Sequence, residues 1–383
     1  MLGIALEGGG AKGAFHIGAF QACMELGYNP DAIAGTSIGA MNGAMFAQGD
    51  FEKAKELWEN ISIKDVFSPE DEKIISTDVQ KLDFSGLVGV LAGVKAIVTA
   101  GGIDNTNMRR IIDDNINVDK LLSSPVDYGV VTFAMPEMRA VEIFKNEMGR
   151  ENIHTYILAS AAFPGFRRVK MGESFFVDGG VYDNCPVNML LEHGCDKVIA
   201  VRTNAVGVTR YDDKDPRVIT IVPSEDLGAL MRFAPNVARH NIKLGYYDSL
   251  RALMGLEGRR YYFTDISMPD FDNFYDISDE AIITAAGMLK ISHRLDTKRA
   301  LFERVLPVLF EELKLSKYEG YDRLLLAMLE NRAERCHIER LCLYTAEELL
   351  WIAMGARPAG RQNGQDKAID TLLLALQIKA KKS

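Results

Sequence analysis

Two glycine-rich turns near the start of the chain constrain its fold more than any other feature. The first, Gly8-Gly9-Gly10-Ala11-Lys12-Gly13, follows the short apolar run Leu2–Leu6 and leads into the helix-like run Ala14–Leu26, which Gly27 is placed to stop. The second, Gly35-Thr36-Ser37-Ile38-Gly39, follows the apolar run Ala32–Gly35 and leads into Ala40–Ala47, rich in alanine and methionine. Strands that alternate with helices in this way pair in parallel, because a parallel neighbour requires a crossover, and the crossover helices cover the sheet faces. Val126–Phe133, Val141–Phe144, Ser174–Phe176, Val198–Thr203 and Val218–Val222 are further β-branched or aromatic runs bounded by turn residues, and Tyr261–Phe263 is a late one. The expectation is an α/β fold with helices on both faces of a mostly parallel central sheet.

The period of the apolar residues changes near residue 279. Ala281–Leu289, Lys298–Leu315, Tyr321–Arg335, Ala346–Met354 and Asp366–Ala380 all show helical spacing. Thr345-x-x-Glu348 matches a capping box ahead of Leu349-Leu350-Trp351. Residues 1–278 are therefore expected to form the α/β region and residues 279–383 a helical one. The apolar stretch Phe84–Ile103 carries one charge, Lys95, but is diluted by Gly86, Gly89, Gly93, Gly101 and Gly102. Its first reading is a buried or half-buried helix, its second an interfacial or lid-like segment that meets lipid, and its last a membrane span.

The 383-residue chain is 48% hydrophobic and 25% charged, with a formal net charge of −9. An acidic balance argues against nucleic acid as the main partner, since phosphate contacts need a basic face. A local basic patch, such as Lys379, Lys381 and Lys382, remains compatible with a membrane surface. Cys23, Cys185, Cys195, Cys336 and Cys342 form no C-x-x-C pair, which fits free thiols rather than a disulfide framework or a structural zinc site. The start of the chain shows no basic-then-apolar leader pattern. The expectation is a cytoplasmic protein, with peripheral membrane contact or export by a specialised route left open.

The chemistry turns on what the glycine loop holds. Gly8, Gly10 and Gly13 satisfy G-x-G-x-x-G, which serves a dinucleotide pyrophosphate, an oxyanion or a plain tight turn. A dinucleotide site wants an acid at the end of the second strand; Asp31 precedes that strand, and its end carries Ser37 instead. A P-loop needs Ser or Thr after the lysine, and Lys12 is followed by Gly13. Ser37 stands in G-x-S-x-G between a strand and a helix, the setting of a nucleophile elbow. Gly35 and Gly39 relieve crowding there, and the following helix aims its positive end at developing negative charge. Serine also needs a base. His16, His154, His193, His240, His293 and His337 all lack a glycine-rich catalytic setting, although His193 or another would be needed for a Ser–His–Asp triad. Asp178 has such a setting: Phe175-Phe176-Val177 runs into Asp178-Gly179-Gly180, where glycine lets another backbone approach closely. A hairpin turn is the other reading of the same Asp-Gly pair.

GGGAKG (Gly8–Gly13), GTSIG (Gly35–Gly39) and DGG (Asp178–Gly180), in that order, resemble the patatin-like phospholipases. Ser160–Phe166 resembles the family's segment ahead of the acid motif, and Ile221–Gly228 resembles bacterial members, so that the likeness covers about residues 1–200 and extends beyond them less closely. It implies a three-layer α/β/α fold and a Ser–Asp dyad, Ser37 as nucleophile and Asp178 as base, without a catalytic histidine, metal or other cofactor. It also implies an oxyanion hole in the Gly8–Gly13 loop, with amides from around Gly9, Gly10 and Ala11, and Lys12 organising the loop or meeting an anionic head group. The implied activity is lipid acyl hydrolysis, of phospholipase A or lysophospholipase type, at a phospholipid or membrane surface. The alternatives are a triad-based esterase or thioesterase acting on other esters, and a catalytically silent scaffold. The resemblance has no counterpart for the helical C-terminal region, and whether a second copy or an activating partner takes part is not legible in the sequence.

Overall fold

The computed structural model describes residues 1–75, 103–163, 165–266, 274–291, 296–316 and 318–380. The expectations for Phe84–Ile103, Ile103 apart, and for His293, Lys381 and Lys382 therefore concern residues outside the described set. Contacts divide the chain into two units, Met1–Leu253 and Met254–Ser383.

In the first unit, β1 (Leu2–Leu6), β2 (Ala32–Thr36), β3 (Asp127–Met135), β4 (Arg139–Phe144), β5 (Val169–Met171), β6 (Ser174–Asp178), β7 (Lys197–Val201) and β8 (Val218–Ile221) form one eight-stranded sheet. The strands β3, β2, β1, β7 and β8 pair in parallel. At the other end β4 and β6 pair antiparallel with β3, and β5 antiparallel with β6. The strand β1 is followed by α1 (Ala14–Glu25), and β2 by α2 (Ile38–Ala47) and α3 (Phe51–Asn60). Gly43 of α2 lies against Ile33, Tyr128 and Leu6 on one face of the sheet. On the other face Ala5, Ala32, Ala34 and Val131 cluster with Val187 and Leu190 of the helix Val187–Glu192. Alternate residues of β1 and β2 thus serve opposite faces, and because both faces are covered these strands read as continuous apolar runs.

The helix Pro235–Met254 has no counterpart in the sequence reading, because the face it buries carries Asn241, Gly245, Asp248 and Ser249 beside Ala238, Ile242 and Leu250, and so shows no continuous apolar stripe. Backbone contact adds to its packing. A Cβ on Gly18 of α1 would meet the Ile242 carbonyl oxygen at 1.8 Å, and one on Gly245 would meet that of Phe15 at 2.1 Å, so glycine on both helices lets them cross at van der Waals range.

The second unit pairs β9 (Tyr262–Asp265) in parallel with β10 (Leu343–Thr345). Its helices, Asp279–Met288, Tyr321–Arg335, Ala346–Gly355 and Gly364–Ala380 among them, enclose a core that includes Leu306, Leu329, Leu349 and Leu372. Tyr261, Phe263, Phe274 and Ile277 belong to the same core, so this unit takes in residues ahead of 279. A change of period marks only where helices begin; the strand and loop residues before them carry no such mark. The capping box forms, with Thr345 Oγ1 accepting from the Glu348 amide at 3.1 Å and the Glu348 carboxylate accepting from the Thr345 amide at 2.8 Å. The single helix expected over Lys298–Leu315 contains a wider turn at Leu301–Val305, directly ahead of Pro307, whose ring nitrogen has no hydrogen to donate back along the helix. All five cysteines are free. Among the described residues no helix is long and apolar enough to cross a membrane, and no His, Cys, Asp and Glu cluster has metal-binding spacing.

Candidate active site

Strand register brings Ser37 and Asp178 to one point. Val131 of β3 pairs with Thr36 of β2 and Glu142 of β4; the next residue, Thr132, pairs with Asp178 of β6 and Val141 of β4. The strand β4 therefore takes one edge of β3, while β2 and β6 follow one another along the other edge and run towards each other. Their carboxyl ends meet opposite Val131 and Thr132. The Ser37 and Asp178 side chains line the same cavity there, and the Ser37 hydroxyl stabilises the charged form of the Asp178 carboxyl.

Ser37 stands at φ 56°, ψ −125°, between β2 and α2. A non-glycine residue held in this region costs about 1–3 kcal/mol, so its surroundings must enforce it. They do so by close approach. A Cβ on Gly35 would meet the Gly39 carbonyl oxygen at 2.2 Å, and one on Gly39 would meet that of Leu6 at 2.2 Å, so strand, turn and helix fold back on one another only with glycine at both places. The Ser37 amide donates to Ser160 Oγ at 2.8 Å. The first turn of α2 begins at Ile38, directing the positive end of the helix towards the serine.

In the glycine loop the question is which amides are free. Gly8 donates to the Asn184 carbonyl at 3.0 Å, Ala11 to that of Leu230 at 2.7 Å, and Lys12 to that of Gly9 at 3.1 Å. Among the described residues no protein group accepts from the amides of Gly9 and Gly10, and both residues line the same cavity as Ser37. The loop reaches this shape through Gly9 at φ 154° and Gly10 at φ 53°. At Gly10 a Cβ would meet the Leu230 carbonyl oxygen at 2.4 Å. Lys12 is half-buried and does not line the cavity. Gly13 is tied to α2 by Asn42, whose Nδ2 donates to the Gly13 carbonyl at 2.9 Å. Trp58 Nε1 donates to the Asn42 Oδ1 at 2.9 Å.

Asp178 ends β6. Burial pushes its carboxyl up to about 6, against the lowering effect of the Ser37 hydroxyl and the Gly180 amide, which donates to Oδ1 at 2.8 Å. Gly179 passes so close to β3 that a Cβ would meet the Val131 carbonyl oxygen at 2.2 Å, and Gly180 lines the cavity. The cavity, about 620 Å³, is walled by Phe67, Phe163, Phe166, Phe233, Met108 and Met231, and Asp178 is the one charged residue in its lining among the described residues. No described histidine lines it. His16 is buried beside Asn42, and burial pushes it down to about 3, which keeps it neutral. His154 pairs with Asp113 at 2.8 Å, His193 with Asp127 at 2.9 Å and His240 with Glu225 at 3.4 Å.

Several supporting residues were not singled out by sequence. Glu7 is fully buried at the end of β1. Its carboxylate accepts from the amides of Thr203 and Asn204 and lies 3.0 Å from Arg202 Nε. Thr203 Oγ1 donates to the Gly8 carbonyl at 2.6 Å, so this ion pair anchors the loop after β7 to the glycine loop. An acid before the loop and an arginine after a later strand are visible in the sequence, but only the β1–β7 register makes them partners.

A family model for patatin-like phospholipase matches residues 4–191. The chain is 27% identical over 225 residues to lysophospholipase NTE1 of Cryptococcus neoformans, covering 56% of this chain and 12% of that protein. It is 25% identical over 263 residues to lysophospholipase NTE1 of Saccharomyces cerevisiae, covering 66% and 14%. It is 25% identical over 216 residues to an uncharacterised NTE family protein of Mycobacterium tuberculosis, covering 56% and 52%. The chain thus spans a small part of the NTE1 proteins that it matches. Among solved structures, VipD from Legionella pneumophila aligns at a TM-score of 0.41 and 15% identity, covering 98% of this chain and 90% of VipD. The ExoU–SpcU complex of Pseudomonas aeruginosa aligns at 0.35 and 16%, covering 99% and 75%. Through residues 4–191 the chain belongs to the patatin-like phospholipase family.

Proposed function

We propose that this chain is a serine acyl hydrolase that cleaves fatty-acyl esters of phospholipids or lysophospholipids. The observation that carries the reading is the convergence of Ser37, at a strained elbow, and buried Asp178 in the wall of one apolar cavity. Asp178 accepts the hydroxyl proton as Ser37 Oγ attacks the ester carbonyl. The free amides of Gly9 and Gly10 hold the tetrahedral oxyanion; loss of one such donor costs on the order of 3 kcal/mol. The alcohol product leaves with the proton, and water, deprotonated by Asp178, hydrolyses the acyl-serine. A carboxyl near pH 6 suits both steps, since it is more basic than an ordinary carboxylate yet ionised at neutral pH. The aromatic walls accept the acyl chain, and the scarcity of charge in the lining leaves the head group outside. Val181, Val206 and Val208 line the cavity while remaining 46%, 37% and 44% exposed, which offers apolar contact to a lipid surface at the opening. The lysophospholipase names of the NTE1 relatives support the same substrate class.

The test is fatty-acid release from phosphatidylcholine vesicles and from lysophosphatidylcholine. Wild type is expected to release fatty acid from at least one, and Ser37→Ala to be lower by roughly 10³-fold or more. Equal release by both proteins contradicts the reading. Turnover of soluble short-chain esters but of neither lipid would confine it to an esterase.

A further inference from the structure

Ser160 is the last residue of the helix Ile153–Ser160 and is fully buried. Its hydroxyl accepts from the Ser37 amide at 2.8 Å and donates to the Val131 carbonyl at 2.6 Å. The direction of both bonds is fixed, because a carbonyl only accepts, an amide only donates and the hydroxyl has a single hydrogen. Val131 is the β3 residue opposite Thr36, where the β2 ladder ends. The elbow turns the chain away from β3 at the next residue, and the Ser160 hydroxyl bridges the gap between the Ser37 amide and the strand that the ladder has just left. Two residues further on, the Ala162 carbonyl accepts from the Asp178 amide at 2.9 Å. Residues 160–162 therefore hold the backbone of both reacting side chains, Ser37 through a side chain and Asp178 through the main chain.

We propose that Ser160 is a positioning residue for the nucleophile, fixing the strained turn of Ser37 in register with Asp178 and with the Gly9 and Gly10 amides. The inference rests on Ser37 being the nucleophile. Ser160 is absent from the cavity lining, so it acts on the reaction only through Ser37. Without its hydroxyl, the Ser37 amide and the Val131 carbonyl both lose this partner, and the amide side of the elbow at φ 56° is left to the glycine contacts beneath it, while the Ser37 carbonyl still accepts from the Ala40 and Met41 amides and the Thr36 hydroxyl still donates to the Asp183 carbonyl. Substrate binding, set by the aromatic walls, is untouched; the alignment of Oγ is not.

The experiment compares wild type, Ser160→Ala, Ser160→Cys and Ser37→Ala as full chains. It measures kcat and KM on a soluble short-chain ester, the rate of Ser37 labelling by a fluorophosphonate, and the thermal midpoint. Ser160→Ala is expected to lose roughly 10²-fold in both kcat and labelling rate, with KM unchanged. Ser160→Cys, whose thiol is a weak donor and acceptor, is expected to recover part of the loss. A Ser160→Ala protein that labels and turns over within about threefold of wild type overturns the inference, as does a rise in KM at constant kcat. If Ser160→Ala fails to fold, Ser160→Cys carries the comparison alone: a slower rate supports the role, and an equal rate overturns it. Wild type that does not label at Ser37 overturns the nucleophile assignment itself, which separates that failure from a failure of Ser160.

Discussion

In the second unit the buried charged side chains among the described residues are Glu330 and Arg332, and both close backbone groups. Glu330 Oε1 accepts from the amides of Arg259, Arg260 and Tyr261 at 2.8, 2.9 and 2.9 Å. Arg332 donates to the carbonyls of Ala353 and Ala356 at 3.1 and 2.8 Å and pairs with Asp370 at 2.6 Å. In the first unit Glu7 and Ser160 do similar work. Around Ser37, however, hydrogen-bonding capacity is left over: among the described residues the amides of Gly9 and Gly10 have no protein acceptor, and the Asp178 carboxyl accepts from the Gly180 amide and is otherwise stabilised by the Ser37 hydroxyl. A buried polar group is therefore not in itself the mark of a site. Unspent donors and acceptors beside an apolar cavity are, because the folded protein gains nothing from them until a ligand arrives.

Substitutions in the two units should separate these roles. The largest effect belongs to Ser37→Ala, which is expected to lower hydrolysis by roughly 10³-fold or more with an unchanged thermal midpoint. Leu329→Ala in the second unit should do the reverse on the stability side, costing about 2–5 kcal/mol in denaturant unfolding, because Leu329 is fully buried in an apolar core. A cost under about 1 kcal/mol would contradict that packing.

Asp178→Asn joins the two measurements. The folded carboxyl titrates at about 6, above its ordinary 3.8, so the folded state holds the proton more tightly than the unfolded one. The stability this contributes is complete below 3.8 and is lost as the pH rises through about 6. Asn resembles the protonated form. The variant should match wild type near pH 4 and exceed it near pH 8, by at most on the order of 3 kcal/mol, while losing activity. Asp183, pushed up to about 7 by burial, is common to both proteins and cancels in the difference. Wild type gaining on the variant as the pH rises would contradict the sign. The smallest effect is expected for Glu330→Gln, which keeps a carbonyl acceptor for the three amides but weakens charge-assisted bonds, at about 1–2 kcal/mol in the same unfolding assay.

What the sequence made legible was local. The strands β1 and β2, the elbow between β2 and α2 and the helix Tyr321–Arg335 follow from runs and motifs of consecutive residues. What it concealed depends on register between distant segments. Three neighbouring amides, those of Gly9, Gly10 and Ala11, look equivalent as sequence. The structure sets Ala11 apart because a carbonyl far along the chain, that of Leu230, accepts from it. The meeting of β2 and β6 along one edge of β3, and the Ser160 bridge, depend in the same way on pairings that no local pattern encodes. The helix Pro235–Met254 escaped for a different reason: glycine contacts hold it to α1 where an apolar stripe would have announced it.

The most direct test of the Ser37–Asp178 account is the rate at which a fluorophosphonate modifies the protein between pH 4 and pH 9, with the modified residue located by peptide mass. The account predicts modification confined to Ser37, at a rate that rises through about pH 6, levels above it, and is low throughout in Asp178→Asn. Modification elsewhere, a rate that climbs steadily to pH 9 without an inflection, or an Asp178→Asn protein that reacts as fast as wild type would contradict it.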